Sequence, residues 1–459
     1  MTVELFDTII IGFGKGGKTL AGFLGAQGQK VAMIEKSKDM YGGTCINIAC
    51  IPSKSLALQA EHIASHNFES WEERKKAYAM AIEKKDQLVS KLREKNFSNL
   101  DNNENVNVIN GKASFLSKDA IKVTNSDNDS LIIKGKNIFI NTGSLPNIPG
   151  IEGIQESKLV YTSTSMMAQK ELPKHLAIIG GGYIGLEFAS MYANFGSKVT
   201  MFEGTDTFLA KEDRDIAEEI KKVLDNKGIE INLNTSVQKI EDNQNSVRLS
   251  FSKNGKDDIS IEVDAILVAT GRKANIEALN LKAAGVNLSE RNFVKTDDTL
   301  KTNIPHIWAI GDVNGGPQYT YISLDDFRIV RDQLYGDKKR TRKDRKNIPF
   351  SVFIEPPLSR VGLTEKEAKE AGYEVKVLKI PAASIPRANQ INKTEGMLKA
   401  IIDNKTNKIL GCALFCSDSS EIINIIKIVM DSGQDFTVLK DNIFTHPSMA
   451  EALNDLFAN

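Results

Sequence analysis

Cys45 and Cys50 stand in Gly42-Gly43-Thr44-Cys45-Ile46-Asn47-Ile48-Ala49-Cys50-Ile51-Pro52-Ser53-Lys54. In a regular helix a five-residue step rises ~7.5 Å, whereas a disulfide needs Cα atoms within ~7 Å. If these thiols pair, the segment is a distorted turn or an irregular helix start, which the preceding glycines and Pro52 allow. A cysteine at a helix N-terminus near a lysine such as Lys54 is held toward its thiolate, the nucleophilic form. The competing expectations are two buried structural cysteines or a zinc site, for which no second ligand pair stands at suitable spacing. A second chemical candidate lies in Thr445-His446-Pro447-Ser448-Met449-Ala450-Glu451. Imidazole exchanges a proton near neutral pH, and a carboxylate such as Glu451 on its other nitrogen fixes tautomer and orientation. The bland alternative is a surface histidine before a turn proline.

These groups need elements to hold them. Residues 8–11, Thr-Ile-Ile-Ile, form a short apolar run expected to be a buried parallel strand. Gly12, Gly14 and Gly17 then fit GxGxxG at the opening of a helix, where glycine permits the tight turn and the close approach of backbone to pyrophosphate. The helix N-terminus offers free N–H groups to phosphate. Glu35, 23 residues after Gly12, ends the next strand and suits a carboxylate that accepts ribose hydroxyls. The pattern recurs with Gly180, Gly182 and Gly185, and Glu203 again follows the first glycine by 23 residues. A single GxGxxG is weak evidence; two copies with strand, helix and acid at one offset are strong. Two such sites suggest a tightly held flavin and a diffusing nicotinamide. Glu203 favours a free 2′-hydroxyl and therefore NADH. Lys198 or Lys211 reaching a 2′-phosphate would admit NADPH. The cysteine pair follows the second strand of the first fold, near the carboxyl ends where ligands bind.

The 459 residues suffice for about three domains at ~150 residues each. Lysine plus arginine and aspartate plus glutamate both number 59, so the cation excess that coats nucleic acid is absent. No apolar run reaches the ~18 residues of a bilayer helix, and the first residues carry no basic, apolar signal pattern. A soluble cytoplasmic chain is expected, without disulfide scaffolding, since there are 4 cysteines. Residues 60–100 are expected to be helical with a solvated charged face. Short strands are expected over 106–150, and Ile266–Arg272 and Ile307–Asp312 look like further strand-to-loop endings. The basic stretch 337–346 looks like a linker, and 350–459 like strands followed by helices. Cys412 and Cys416 are expected in a strand-like core.

Together these motifs resemble the pyridine nucleotide–disulphide oxidoreductases, the family of glutathione reductase, dihydrolipoamide dehydrogenase and mercuric reductase, over essentially the whole chain. The resemblance implies an α/β fold with two Rossmann-like dinucleotide-binding domains, glutathione reductase-like, plus a C-terminal α+β dimerisation domain. The implied order is FAD-binding (1–150), NAD(P)-binding (151–271), FAD-binding again (272–346) and interface (347–459). It implies that Cys50 faces the flavin as charge-transfer thiolate and that Cys45 is the outer interchange thiol. Lys54 would sit beside the flavin ring. Gly43, Thr44, Ala113, Thr142, Gly143, Gly311 and Asp312 match flavin-contacting positions; Ile184, Glu187, Val237 and Gly271 fall on the nicotinamide side. His446 and Glu451 match HPxxxE, whose histidine reaches the cysteines of the other subunit across a cis His-Pro bond. That implies a homodimer with shared sites, FAD bound tightly, NADH and/or NADPH as donor, and no metal.

Within the family, the chain ends without the cysteine pair of mercuric reductases. Tyr41, Ala49 and Phe444 depart from dihydrolipoamide dehydrogenases, which usually carry leucine, glycine and histidine there. Glu203 departs from glutathione reductases. Residues 10–21, 40–52 and 443–457 are similar to the bacterial reactive-chlorine-resistance flavoproteins and hypothiocyanous acid reductases. That resemblance implies reduction of hypothiocyanous acid, a small-molecule oxidant, with Tyr41 and Phe444 narrowing the channel. Lipoamide reduction, Cu(II) reduction and a redox-sensing scaffold without turnover are the alternatives.

Overall fold

The computed structural model describes residues 3–458; Met1, Thr2 and Asn459, the outermost ends of the expected domains and of the expected unsignalled N-terminus, lie outside the described residues. The first sheet starts from β1 (Val3–Ile11), whose Ile9 and Ile10 are fully buried, as a central strand covered on both faces requires. α1 (Lys15–Ala26) crosses to β2 (Val31–Glu35), parallel to β1 with Ile9 opposite Ala32. α2 (Gly43–Asn47), α3 (Cys50–Ala64) and the long α4 (Trp71–Asp101) then precede β3 (Val106–Asn110). β4 (Lys112–Phe115), β5 (Ala120–Thr124) and β6 (Ser130–Ile140) complete the order β3-β2-β1-β6-β5-β4. Ile307–Ala309 returns from far along the chain to pair with β6.

The second glycine motif opens the helix Tyr183–Phe195 of another parallel sheet. Its order is Ile229–Asn232, Lys198–Phe202, His175–Ile179, Ala265–Val268, Val160–Thr162. Ser144–Pro146 and Arg272–Ala274 pair antiparallel where the chain passes between the two folds. The C-terminal sheet is antiparallel, with Leu358–Gly362, Ile409–Phe415 and Met397–Asp403 at its centre. It carries the helices Ser419–Ser432 and Ala452–Ala458. One apolar core takes Leu56 from α3, Tyr78 from α4, Leu186 from the second fold and Phe415 from the C-terminal sheet. The helix that begins at Cys50 is therefore wedged among three folding units.

The basic stretch 337–346, expected to be a linker, is anchored along its length. Arg345 donates from Nε to Asp325 at 2.7 Å and also pairs with the fully buried Asp326, and Arg340 reaches Asp325. Those carboxylates sit on the helix Thr320–Tyr335, so the basic charges of this stretch fasten it down.

Among the described residues no helix is long and apolar enough to cross a membrane.

Candidate redox site

α2 ends at Asn47, Ile48 and Ala49 leave helical geometry at φ −140° and −143°, and α3 begins at Cys50. This break is the irregular start that pairing of the two sulfurs demands. The loop before it is pressed onto the first glycine turn: Gly43, at φ +73°, would put a Cβ 2.6 Å from the Gly14 Cα. Asn47 locks the turn, donating to the carbonyls of Tyr41 and Gly43 at 2.9 Å and accepting from Arg93 Nε at 2.8 Å.

Both thiols are free here. Cys50 is the first residue of a 15-residue helix, so its sulfur meets the positive end of the dipole. The Cys45 thiol's hydrogen bond holds the Cys50 thiol below its ordinary range; burial opposes this, and Thr320 and Lys54 add to it. Cys45 is pushed up by the same hydrogen bond and by burial. The Thr320 hydroxyl lies 3.5 Å from Cys50 Sγ. The site is thus polarised, with Cys50 the more acidic of the two thiols and Cys45 the less acidic.

Lys54, one turn along α3, meets Glu187 at 2.7 Å. Glu187 also accepts from the Phe353 amide at 2.9 Å, and the Lys54 ammonium lies 4.7 Å from the Phe353 ring centre. Three domains therefore converge beside Cys50.

A cavity of about 1930 Å³ runs from the first glycine turn past the cysteines, above the ~300–1,000 Å³ of ordinary ligand pockets. Of the expected flavin-side residues, Gly12, Gly14, Glu35, Gly43, Thr44, Lys54, Ala113, Thr142, Gly143, Gly311 and Asp312 line it. Gly17 lies beneath, its amide donating to Asn141 Oδ1 at 2.9 Å. The dinucleotide groove fits FAD. A Cβ on Gly12 would lie 2.4 Å from the Asn141 carbonyl, and the buried Thr142 hydroxyl has no partner within the protein. Glu35 accepts from the amides of Phe13 and Ser37 at 3.0 and 3.3 Å, and burial raises its pKa.

On the nicotinamide side, Ile184 and Glu187 line the same cavity. Gly180, Gly182 and Gly185 form the second turn, where a Cβ on Gly185 would lie 2.1 Å from the Gly180 carbonyl and Gly182 faces open space. Glu203 accepts from the amides of Gly181 and Thr205 at 2.7 and 2.9 Å. Gly271, at φ +101°, also faces open space. Val237 is half-buried against the core of the second fold. Lys198 is misplaced for a 2′-phosphate. It starts the strand that Glu203 follows, which puts it about 16 Å away at strand rise. Lys211 is exposed on the segment beyond Glu203.

His446 Nδ1 lies 2.7 Å from Glu451 Oε2, and the His446–Pro447 bond is cis. The imidazole is 70% exposed and does not line its own chain's cavity. One chain does not bring it to the cysteines. Tyr41 does not narrow a channel: it is 6% exposed, stacks on Phe97 at 4.6 Å and donates to Asn110. Phe444 packs on its own domain's core. Cys412 and Cys416 are buried in that core, and burial pushes both thiols up.

Sequence reasoning missed Thr320, Asn141, Arg272 and Asp326. Arg272 donates from Nε to the Ser144 hydroxyl, which itself donates to Asp312 at 2.8 Å. Asp326 accepts from the Gly311 amide at 2.6 Å. Asn141 and Arg272 carried a signal, since Asn141 immediately precedes Thr142-Gly143 and Arg272 closes the strand-to-loop ending Ile266–Arg272.

Residues 6–326 match the family model described as pyridine nucleotide-disulphide oxidoreductase, and 348–457 match that family's dimerisation domain. A probable pyridine nucleotide-disulfide oxidoreductase RclA of Escherichia coli (strain K12) is 49% identical over 99% of each chain. A mercuric reductase of Staphylococcus aureus is 35% identical, over 98% of this chain and 81% of its own. A dihydrolipoyl dehydrogenase of Bacillus subtilis (strain 168) is 32% identical, over 97% and 94%. A solved structure described as a Cu(II) complex of HOCl-induced flavoprotein disulfide reductase RclA from Escherichia coli superposes with a TM-score of 0.94, at 49% identity over 99% of both chains.

Proposed function

The chain belongs to the pyridine nucleotide–disulphide oxidoreductase family, and on that footing we propose that it is a cytoplasmic NAD(P)H-dependent flavoprotein that reduces hypothiocyanous acid to thiocyanate. Membership implies FAD and a nicotinamide donor. FAD would lie along Gly12, Gly14, Glu35, Thr142 and Asp312 in the parts 1–150 and 272–346. The nicotinamide nucleotide would enter over Gly180, Gly182 and Glu203 in 151–271, with NADH favoured by Glu203. Residues 347–459 would pair two copies. The observation that supports the reading is the cysteine pair set at the irregular start of α3, with Thr320 and Lys54 beside Cys50, within a chain alike end to end to a disulfide reductase described as HOCl-induced.

FAD, held along the first glycine turn, would supply the cysteine pair with an electron pair drawn from the nicotinamide donor. Lys54 and the start of α3 hold the negative charge on Cys50. Cys45 gives its proton to His446 of the partner subunit, whose Nδ1 is held by Glu451. The Cys45 sulfur attacks the sulfur of hypothiocyanous acid; hydroxide leaves and takes the proton back as water. The Cys50 thiolate then attacks the Cys45 sulfur and expels thiocyanate, closing the disulfide. Two thiols are oxidised, and the oxidant's sulfur gains two electrons.

The test is NADH and NADPH consumption by the purified holoenzyme with hypothiocyanous acid, with lipoamide and with no acceptor, beside Cys45→Ser. Fast, Cys45-dependent turnover on hypothiocyanous acid with little on lipoamide is expected. Fast lipoamide turnover would assign the chain to dihydrolipoamide chemistry instead.

A further inference from the structure

Cys50 has two sources of positive potential, the start of α3 and Lys54. Cys45, which must become the attacking thiolate in the reading above, has neither. It sits in α2, a helix of 5 residues, too short for a useful dipole. Beneath α2 lies Lys18, which takes the position after the last glycine of the first GxGxxG. Its ammonium contacts the carbonyl of Gly42, the residue that caps α2, at 3.5 Å, and the Asn96 side-chain oxygen. Neither partner is charged, and among the described residues Lys18 forms no ion pair. A half-buried ammonium without an anion is costly, so its placement wants a negative charge nearby.

We propose that Lys18 is the counter-charge of Cys45: it anchors the cap of the redox helix and stabilises the Cys45 thiolate while that sulfur attacks. The inference rests on Cys45 being the attacking sulfur. The reciprocal electrostatics agree. Burial and Lys15 lower the Lys18 pKa to about 8, and Cys45 is the anion that opposes them. The Cys50 hydrogen bond and burial push the Cys45 thiol up, and Lys18 in turn opposes that rise. The other charges around the pair are Cys50 itself, Lys54 and Glu187 on the Cys50 side, Arg272, and Arg93 with Asp39 at the far end of α2. The partner's His446 joins them in the dimer. Arg93 is engaged by Asn47 and Asp39, and Lys54 by Glu187; Arg272 donates to Ser144 and Lys15 stands at the start of α1, so Lys18 is the cation that contacts the cap of the helix bearing Cys45.

The experiment is the pH profile of iodoacetamide alkylation of NADH-reduced holoenzyme, read at Cys45 by peptide mass spectrometry without hypothiocyanous acid. Removing a neighbouring cation raises a thiol's pKa by roughly one unit, so Lys18→Gln should alkylate about tenfold more slowly below the midpoint. Lys18→Met should do the same, and Lys18→Arg should stay near the wild type. Lys18→Gln keeps a neutral N–H donor at this position, so it decides the matter if Lys18→Met loses FAD. An unchanged midpoint in FAD-replete Lys18→Gln would overturn the inference while leaving the proposed function standing. Alkylation at Cys50 in place of Cys45 would overturn the proposed function as well.

Discussion

Lys54 and Glu187, 133 residues apart in sequence, form an ion pair at 2.7 Å that ties the redox helix of the first nucleotide fold to the opening helix of the second. The two charges act on Cys50 with opposite sign: Lys54 lowers its pKa and Glu187 raises it. Lys54→Met should therefore move the Cys50 titration up, and Glu187→Gln should move it down, each by roughly half a unit to one unit. Ultraviolet thiolate absorbance of the reduced holoenzyme checks both. Shifts of the same sign would show that the pair acts through packing.

The stability of the reduced enzyme carries the signature of the polarised pair. Cys50 is lowered from 9.0 to about 6. Its contribution is complete above the unfolded value and is lost as pH falls through the folded one. Cys45 is raised above 9.0, so its contribution is lost as pH rises beyond 9.0. The linkage follows from which state binds the proton. The Tm difference between reduced wild type and Cys50→Ala should widen from pH 6 to pH 9. A flat difference would mean that the charge does not reside on Cys50.

Arg345 should be needed for flavin retention although it lies far along the chain from both glycine motifs. Its guanidinium neutralises the buried Asp326, which holds the Gly311 amide of the flavin-side loop. Arg345→Met strands that carboxylate, at a cost of about 3–5 kcal/mol. A lowered Tm and a reduced FAD-to-protein ratio are expected. Asp326→Asn should restore part of both in the double variant, since an amide needs no counter-charge.

The exposed His446–Glu451 pair is expected to serve the other subunit. Cys45→Ser and His446→Ala homodimers should both be slow. Heterodimers of the two would carry one intact site, made of Cys45 from one protomer and His446 from the other. Co-expressed, purified heterodimers should recover roughly half of wild-type turnover per dimer, as one of two equivalent sites. Heterodimers as slow as the parents would show that His446 does not serve the other subunit's cysteines.

What the sequence made legible was backbone chemistry. Gly12, Gly14, Gly180 and Gly185 sit where a Cβ would collide with backbone or a fixed side chain, so their requirement is written locally. The cysteine pair was legible for the same reason, since glycines and a proline flank a break that no regular helix supplies. Thr320 was not, because 270 residues separate it from Cys50 and a lone threonine has no pattern. The anchoring role of Arg345 was not legible because its partners, Asp325 and Asp326, lie on a helix whose register charge counting does not reveal. Tyr41 was misread because a change of residue type beside a motif does not say which way the side chain points; it points into the core.

The central claim is that Cys45 and Cys50 pass an electron pair to hypothiocyanous acid. Two-electron-reduced holoenzyme, freed of nicotinamide and mixed anaerobically with one equivalent of the oxidant per site, tests it in a single turnover. The account expects a Cys45–Cys50 disulfide by mass spectrometry and one thiocyanate released per site, with neither in Cys45→Ser. Cysteines left as thiols while the oxidant persists, in enzyme that lipoamide reoxidises promptly, would contradict it.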